Sequence, residues 1–207
     1  MIVSRPRGRN VWFGRALLIV VMSSLPWICR TAELEAATKY FEDRLPQCIA
    51  CHGENGTSET PETPSLGGID DYCALIQLVA FREGNRKNEI MNQIVSGMTD
   101  DDLRAAAKWV HTLPGTQPPE EAGDPAIMQR GERLVSSSRC NACHGKDLLG
   151  GHQMPPLKNQ REDYLLNSLN DYRAERRFGD RAAMVEVTQN LTEKDLADLA
   201  HYLAHLR

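Results

Sequence analysis

Apolar residues recur every three or four positions over long stretches of the chain, a spacing that predicts helices with one buried face. Two such stretches begin with a Thr-x-x-Asp motif, at Thr99 and at Thr192. The motif predicts a capping box at the helix N-terminus, with aspartate in place of the usual glutamate. The residues expected to be buried are Leu103, Ala106, Ala107 and Val110 in the first helix and Leu196, Leu199, Ala200 and Leu203 in the second.

The same spacing predicts four further helices. They cover residues 34–44, 71–82, 126–136 and 163–173. No stretch shows the enrichment in β-branched residues with strict alternation that is typical of strands. We therefore predict an all-α fold.

The second half of the chain repeats the first. Residues 64–86 match residues 155–177, a stretch of the same length. Residues 98–113 match residues 191–206 without a gap. Parallels of this length indicate two homologous domains in tandem.

A segment rich in proline and glycine separates the two copies. It spans residues 114–125 and lacks apolar periodicity, so it predicts a surface linker stiffened by proline. The expected domains are residues 33–113 and residues 126–207. Each has roughly 80 residues, which is small for a self-sufficient apolar core.

The N-terminal 32 residues have a different composition. Four arginines lead into an apolar run over residues 16–28, and no acidic residue precedes Glu33. This layout is typical of a secretory signal peptide, which we place at residues 1–32. The alternative is an uncleaved membrane anchor, although the apolar run falls short of the roughly 20 residues that span a bilayer. We expect a periplasmic protein, with membrane association through the N-terminus as the alternative.

The net charge argues against one class of partner. The whole chain carries −4, and removal of residues 1–32 takes away five arginines and no acidic residue, which leaves −9. Because phosphate binding needs a basic surface, we expect no nucleic-acid partner. A partner protein with a basic docking face suits an acidic chain better.

Four of the six cysteines lie in two C-x-x-C-H motifs, CIACH at residues 48–52 and CNACH at residues 140–144. This motif is typical of covalent attachment of c-type haem. Two thiols three residues apart can form thioethers with both vinyl groups of one haem, while the adjacent imidazole ligates the iron. A zinc ribbon would place its two pairs about 15 to 20 residues apart, and a thioredoxin-type motif would need a βαβ setting.

The motifs therefore predict two covalently bound haem c groups. The expected thioether sites are Cys48, Cys51, Cys140 and Cys143, and the expected proximal ligands are His52 and His144. Cys73 lies outside both motifs on an apolar helix face, where we expect a small core residue.

The second axial ligand decides whether such a protein carries electrons or binds a substrate at iron. The candidates in the first copy are Met91, Met98 and His111, and those in the second are His152, Met154, Met184, His201 and His205. A shared function should place the same residue type at the same position in both copies. Only Met91 and Met184 match, 39 and 40 residues after their histidines, so we predict both as ligands.

Together with the two motifs, the segments FREGNRKNEIM and YRAERRFGDRAAM resemble those of tandem di-haem class I cytochromes c. Cytochrome c4 and the di-haem subunit of flavocytochrome c sulfide dehydrogenase exemplify this family. The resemblance covers residues 34–207. It implies two helical domains, each wrapped round one covalent haem with its N- and C-terminal helices crossed, and packed so that the haems exchange electrons.

The resemblance also implies roles for residues around the haem. A proline carbonyl would orient each proximal imidazole, which we assign to Pro64 and Pro156. Arg86 and Arg177 would pair with haem propionates, with a solvated arginine as the alternative. The usual glycine of the N-terminal helix is Gly131 in the second copy, whereas the first has Lys39. We therefore expect the helix crossing to differ in domain 1.

The resemblance implies an electron-transfer protein that is not itself an enzyme. It would pass single electrons from a donor dehydrogenase or quinol-oxidising complex to a terminal oxidase or reductase. One alternative is the electron-accepting cytochrome subunit of a larger oxidoreductase, such as a flavoprotein sulfide dehydrogenase. A di-haem peroxidase would require an asymmetry at the methionine position, and the two copies show none.

Overall fold

The structure is a computed structural model that describes residues 25–177 and 182–207, with side chains from residue 39 onward. The helices are α1 (Leu25–His52), α2 (Asp71–Arg82), α3 (Glu89–Val95), α4 (Asp100–Thr112), α5 (Pro125–Ser137), α6 (Asn141–His144), α7 (Glu162–Arg173), α8 (Ala182–Gln189) and α9 (Glu193–Ala204). The only β-structure within the described ranges is an isolated bridge between Gly151 and Met154. The predicted all-α fold is therefore confirmed.

The predicted helices are all present, but the first is much longer than expected. Helix α1 begins at Leu25, continues through Pro46 and ends at His52, so the first C-x-x-C-H motif forms its last turns. The greater part of the predicted signal peptide, residues 1–24, lies outside the described residues. No described helix is both long enough and apolar enough to cross a membrane.

Both predicted capping boxes are present. In α4 the Asp102 backbone N–H donates to Thr99 Oγ1 at 3.2 Å, and the Thr99 N–H donates to the Asp102 carboxylate at 2.8 Å. Thr192 and Asp195 repeat this arrangement at the start of α9. The eight residues predicted to be buried in these helices lie in the cores of their domains.

The terminal helices of each domain cross, and the two crossings differ as expected. In domain 2 a Cβ atom at Gly131 would lie 2.2 Å from the Cβ of Tyr202, so α5 can approach α9 this closely only with glycine there. In domain 1 Lys39 is exposed, and the contact is aromatic instead, with the rings of Phe41 and Trp109 centred 6.3 Å apart.

An ion pair reinforces the crossing in domain 2. Asp198 of α9 has a side chain that is only 6% exposed, and it accepts hydrogen bonds from Arg130 of α5 at 2.7 and 3.1 Å. Lys194, one turn earlier on α9, also donates to both carboxylate oxygens of Asp198, at 3.0 and 2.9 Å. The hydrogen bonds from Arg130, with support from Lys194, lower the pKa of Asp198 to about 2.

We expect Asp198→Asn to lower the free energy of unfolding by about 2 kcal/mol at pH 6. Because the folded-state pKa lies below the unfolded one, this stabilisation is complete above about pH 4 and is lost as the pH falls towards 2. Urea unfolding of the holoprotein at pH 6 and pH 2.5 measures it, with the exposed Glu132→Gln on α5 as control. An equal loss at both pH values would contradict the ion-pair explanation.

The two domains contact each other directly. Gln160 and Arg161, just before α7, hydrogen-bond to the backbone of Ser65 and Ser58 in domain 1. The ring of Tyr72 also stacks on the ring of His152, with centroids 4.9 Å apart. The relative position of the domains is therefore set by specific contacts in addition to the linker.

Candidate haem-binding sites

Both C-x-x-C-H motifs adopt helical backbone, which places their cysteines and histidine on adjacent turns. The first motif ends α1, and the second occupies the short helix α6 and the residue before it. The four motif cysteines form no disulfide. Burial raises the pKa of the Cys48 and Cys140 thiols, which argues against the low-pKa thiolate of a disulfide oxidoreductase.

The two motif histidines share one hydrogen-bonding arrangement. His52 and His144 are each 6% exposed, and their Nδ1 atoms lie 2.8 Å from Pro64 O and 2.9 Å from Pro155 O. A carbonyl oxygen can only accept, so the ring proton is on Nδ1 and the lone pair is on Nε2. Orientation of this kind is what a metal-binding imidazole requires.

Burial also lowers the pKa of His52 below its ordinary value, and the Pro64 carbonyl offsets this only in part. The imidazole is therefore neutral at pH 7, as an iron ligand must be.

One expected contact was wrong. The carbonyl that binds His144 belongs to Pro155 and not to Pro156. The proline follows its histidine by 12 residues in domain 1 but by 11 in domain 2, because the loop after the motif is one residue shorter there. Pro64 was assigned correctly.

The predicted distal ligands lie on equivalent short helices that sequence periodicity did not predict. Met91 is on α3, whose N-cap Asn88 accepts the Met91 backbone N–H at 2.9 Å. Met184 is on α8, where Thr188 donates to the Met184 carbonyl at 2.8 Å. Both methionines are half-buried. Met98 is 6% exposed in the core of domain 1, as expected for a residue that is not a ligand.

The remaining histidine candidates have other environments. His111 is exposed, and His152 stacks on Tyr72. His201 and His205 lie beside Glu162, with potential ligand atoms within 4.8 Å of one another.

The ring of His201 is already engaged, since Nε2 accepts the Asp124 N–H at 3.0 Å and Nδ1 donates to Glu162 at 3.1 Å. His205 Nδ1 donates to the His201 carbonyl oxygen at 2.9 Å. A cation at these Nδ1 atoms would have to break these bonds, so we assign this cluster to the docking of α5 and α7 against α9.

Arg86 and Arg177 meet at the domain interface. Arg86 Nη1 and Arg177 Nη2 donate to the same Gln77 Oε1, at 2.7 and 3.1 Å. Arg86 Nη2 also donates to the Tyr164 hydroxyl at 3.0 Å. Among the described residues neither guanidinium has a carboxylate within ion-pair distance, and Asp171 affects Arg177 only at longer range.

Two half-buried cations therefore lie side by side, and no described carboxylate pairs with either. Burial by itself would raise the pKa of the Tyr164 phenol, but the two guanidiniums outweigh it and lower the pKa to about 7. Unbalanced positive charge of this kind suits an anionic ligand. The carboxylates of haem propionates fit it in sign and in chemistry, whereas a solvated surface arginine would not share a partner across the interface.

Comparison with known proteins gives a consistent result. The family model for cytochrome c matches residues 34–114 and 128–207. Cytochrome c4 of Thiocapsa roseopersicina is 29% identical over 77% of this chain and 86% of that protein. The thiosulfate dehydrogenase electron acceptor of Stutzerimonas stutzeri (strain A1501) is 29% identical over 77% of this chain and 78% of that protein. The crystal structure of reduced recombinant cytochrome c4 from Pseudomonas stutzeri superimposes with a TM-score of 0.73 at 27% identity, covering 84% of this chain and 98% of that one.

The family match covers both halves of the repeat, and each half contains one C-x-x-C-H motif with an oriented histidine. The prediction of two tandem cytochrome c domains is confirmed. The chain belongs to the cytochrome c family, and it is an electron-transfer protein with two covalently bound haem c groups.

Proposed function

We propose that this cytochrome carries single electrons in the periplasm, between a donor dehydrogenase or quinol-oxidising complex and a terminal oxidase or reductase. The main support for this proposal is that the two domains contain the same set of haem-binding residues at equivalent positions. Each domain offers two thioether cysteines, a histidine with its lone pair on Nε2 and a methionine on an equivalent helix. A haem iron with both axial positions filled by the protein exchanges electrons and leaves no position for a substrate.

Each residue type has a separate role in this function. Cys48, Cys51, Cys140 and Cys143 hold the haems covalently. His52 and His144 are the proximal ligands, and Met91 and Met184 are the distal ligands that raise the potential. Arg86 and Arg177 bind propionates at the interface. The haem supplies reversible one-electron chemistry, and the protein residues set its orientation, its potential and its isolation from water.

The charge distribution supports docking through domain 1. Residues 33–113 contain 14 acidic and seven basic side chains, whereas residues 126–207 contain 11 acidic and 12 basic ones. Domain 1 therefore has a clear excess of negative charge and attracts a basic partner. Domain 2 is close to neutral, so it does not repel an acidic partner. Such asymmetry steers encounters with charged partners and favours those of complementary charge.

The second candidate is a dedicated electron acceptor for one dehydrogenase. The similarity to the thiosulfate dehydrogenase electron acceptor favours it. A flavoprotein sulfide dehydrogenase remains the other donor of this kind. A dedicated acceptor and a general carrier would use the same haem sites. Two observations would identify a dedicated acceptor: co-purification with the donor dehydrogenase, and reduction of the cytochrome when that dehydrogenase is supplied with its substrate.

The proposal is tested by stopped-flow oxidation of the reduced holoprotein by a basic redox protein at several ionic strengths. We expect the rate to fall steeply as salt is added, because screening weakens the attraction to domain 1.

The double variant Glu54→Gln, Glu59→Gln, with two exposed charges removed beside the first motif, should react about threefold more slowly at low salt. The linker variant Glu120→Gln, Glu121→Gln removes the same charge away from the motif and should react nearly as fast as the wild type. An oxidation rate that does not change with ionic strength, or that falls equally in both variants, would contradict docking through domain 1.

A further inference from the structure

The peptide group between Pro64 and Ser65 connects the first haem site to the other domain. Its carbonyl oxygen accepts the hydrogen bond from His52 Nδ1 at 2.8 Å. Its N–H, on Ser65, donates to Gln160 Oε1 at 2.8 Å. Gln160 belongs to domain 2, so a single peptide unit lies between the proximal histidine of domain 1 and a side chain of domain 2.

Gln160 is held in a way that defines its orientation. Its side-chain amide also donates from Nε2 to Ser65 O at 2.8 Å, which makes a two-way amide pair with the Ser65 backbone. Because Oε1 faces an N–H and Nε2 faces a carbonyl, the amide can satisfy both bonds in only one orientation. Gln160 is 7% exposed and Ser65 is 2% exposed, so little water competes for these bonds.

Neighbouring contacts reinforce this junction. Arg161 donates to Ser58 O at 3.0 Å, and the Ser58 hydroxyl donates to the carbonyl of Cys51 at 2.8 Å. Ser58 N–H in turn donates to Ser65 Oγ at 3.1 Å. Domain 2 therefore contacts the segment that carries both a thioether cysteine and the histidine's hydrogen-bond acceptor.

The corresponding peptide group in domain 2 cannot form this link. The carbonyl that binds His144 belongs to the peptide between Pro155 and Pro156. A peptide nitrogen on proline carries no hydrogen, so this group cannot donate to any acceptor. The peptide that accepts from His52 is therefore hydrogen-bonded to the other domain through its N–H, whereas the peptide that accepts from His144 has no N–H.

We propose that Gln160 is a positioning residue through which domain 2 tunes the proximal histidine of domain 1. A peptide that donates at its N–H accepts more strongly at its oxygen, because hydrogen bonds in a chain polarise one another. The Pro64 carbonyl therefore draws more strongly on the Nδ1 proton of His52, and the imidazole becomes a more basic ligand. A more basic ligand stabilises the oxidised iron, so docking of the domains lowers the potential of the first haem. The inference rests on the proposed ligand role of His52.

The test is a potentiometric titration of the holoprotein in which the two haems are resolved by their NMR signals. In Gln160→Leu, which keeps the side-chain size but removes both polar atoms, we expect the first haem to become easier to reduce while the second is unchanged. The equilibrium constant for moving an electron from the second haem to the first should rise on the order of threefold.

Two matched variants separate this effect from a general loosening of the interface. Asn159→Gly removes an adjacent contact, the Asn159 side chain on Thr116 O, without touching the Ser65 peptide, and glycine tolerates the backbone φ of 59° found there. It should leave both potentials unchanged. Ser65→Pro removes the N–H itself and copies the proline pair of domain 2, so it should shift the first haem in the same direction as Gln160→Leu.

An unchanged first haem in Gln160→Leu, or equal shifts of both haems, would overturn the inference. If neither variant at the junction folds, hydrogen exchange at the Ser65 amide of the wild-type protein still tests it. We expect slow exchange, and exchange as fast as at the exposed Asn55 amide would show that the bond is absent in solution. Failure of this inference would leave two haems and electron transfer intact, whereas failure of the proposed function would not.

Discussion

A chain in which Cys48 and Cys51 are both replaced by alanine is expected to carry one covalent haem instead of two. Without thioethers the first haem is held only by its axial ligands and by packing, and it is lost during purification. Domain 1 then lacks its apolar centre, and a unit of roughly 80 residues buries too little other apolar surface to stay fully folded. Haem content per chain by the pyridine haemochrome assay and intact mass measure the loss, and circular dichroism should show reduced helicity.

The matched control is Cys73→Ala. Cys73 is 1% exposed in domain 1 but lies outside the motif, so this change removes a buried thiol without touching haem attachment. We expect two haems per chain and a cost of about 1 kcal/mol in the free energy of unfolding. Loss of a haem in this variant, or two covalent haems in the double variant, would contradict the assignment of Cys48 and Cys51.

Replacement of either Met91 or Met184 by alanine is expected to convert one haem into a carbon monoxide binding site. The change removes the sixth ligand from one iron only, so the reduced protein should show a CO difference spectrum equal to one haem per chain. The potential of that haem should also fall, because the thioether ligand favours the reduced iron. Wild-type protein should show no CO spectrum, and the double variant should show twice the single one.

Met98→Leu is the control for the methionine variants. Met98 lies in the same domain as Met91 and is 6% exposed in the core, and leucine preserves its volume. It should bind no CO and should cost less than about 1.5 kcal/mol in stability. CO binding by the wild-type protein would mean an open iron and would favour a di-haem enzyme over a carrier.

The features that could be predicted from the sequence are mostly those with local determinants. Three patterns of this kind are helix periodicity, the Thr-x-x-Asp caps and the C-x-x-C-H motifs. Each involves residues only a few positions apart, so their separation along the chain fixes their relative position in the structure. The internal repeat supplied a second line of inference, because it paired Met91 with Met184 and set Met98 aside. The assignment of Pro156, which came from the resemblance, was wrong by one residue, because the hydrogen bond to His144 depends on the length of the loop after the motif.

The sequence by itself determined the class of fold, the number of domains and the chemistry that each domain holds. Only the tertiary structure decided which carbonyl orients each histidine, which side chains share the interface and how Gln160 reaches the Ser65 peptide 95 residues away. The physical reason is that these contacts join groups distant in the chain, and their geometry depends on how the two packed domains dock. No local pattern of apolar and polar residues encodes that docking, because it follows from the summed packing of both cores.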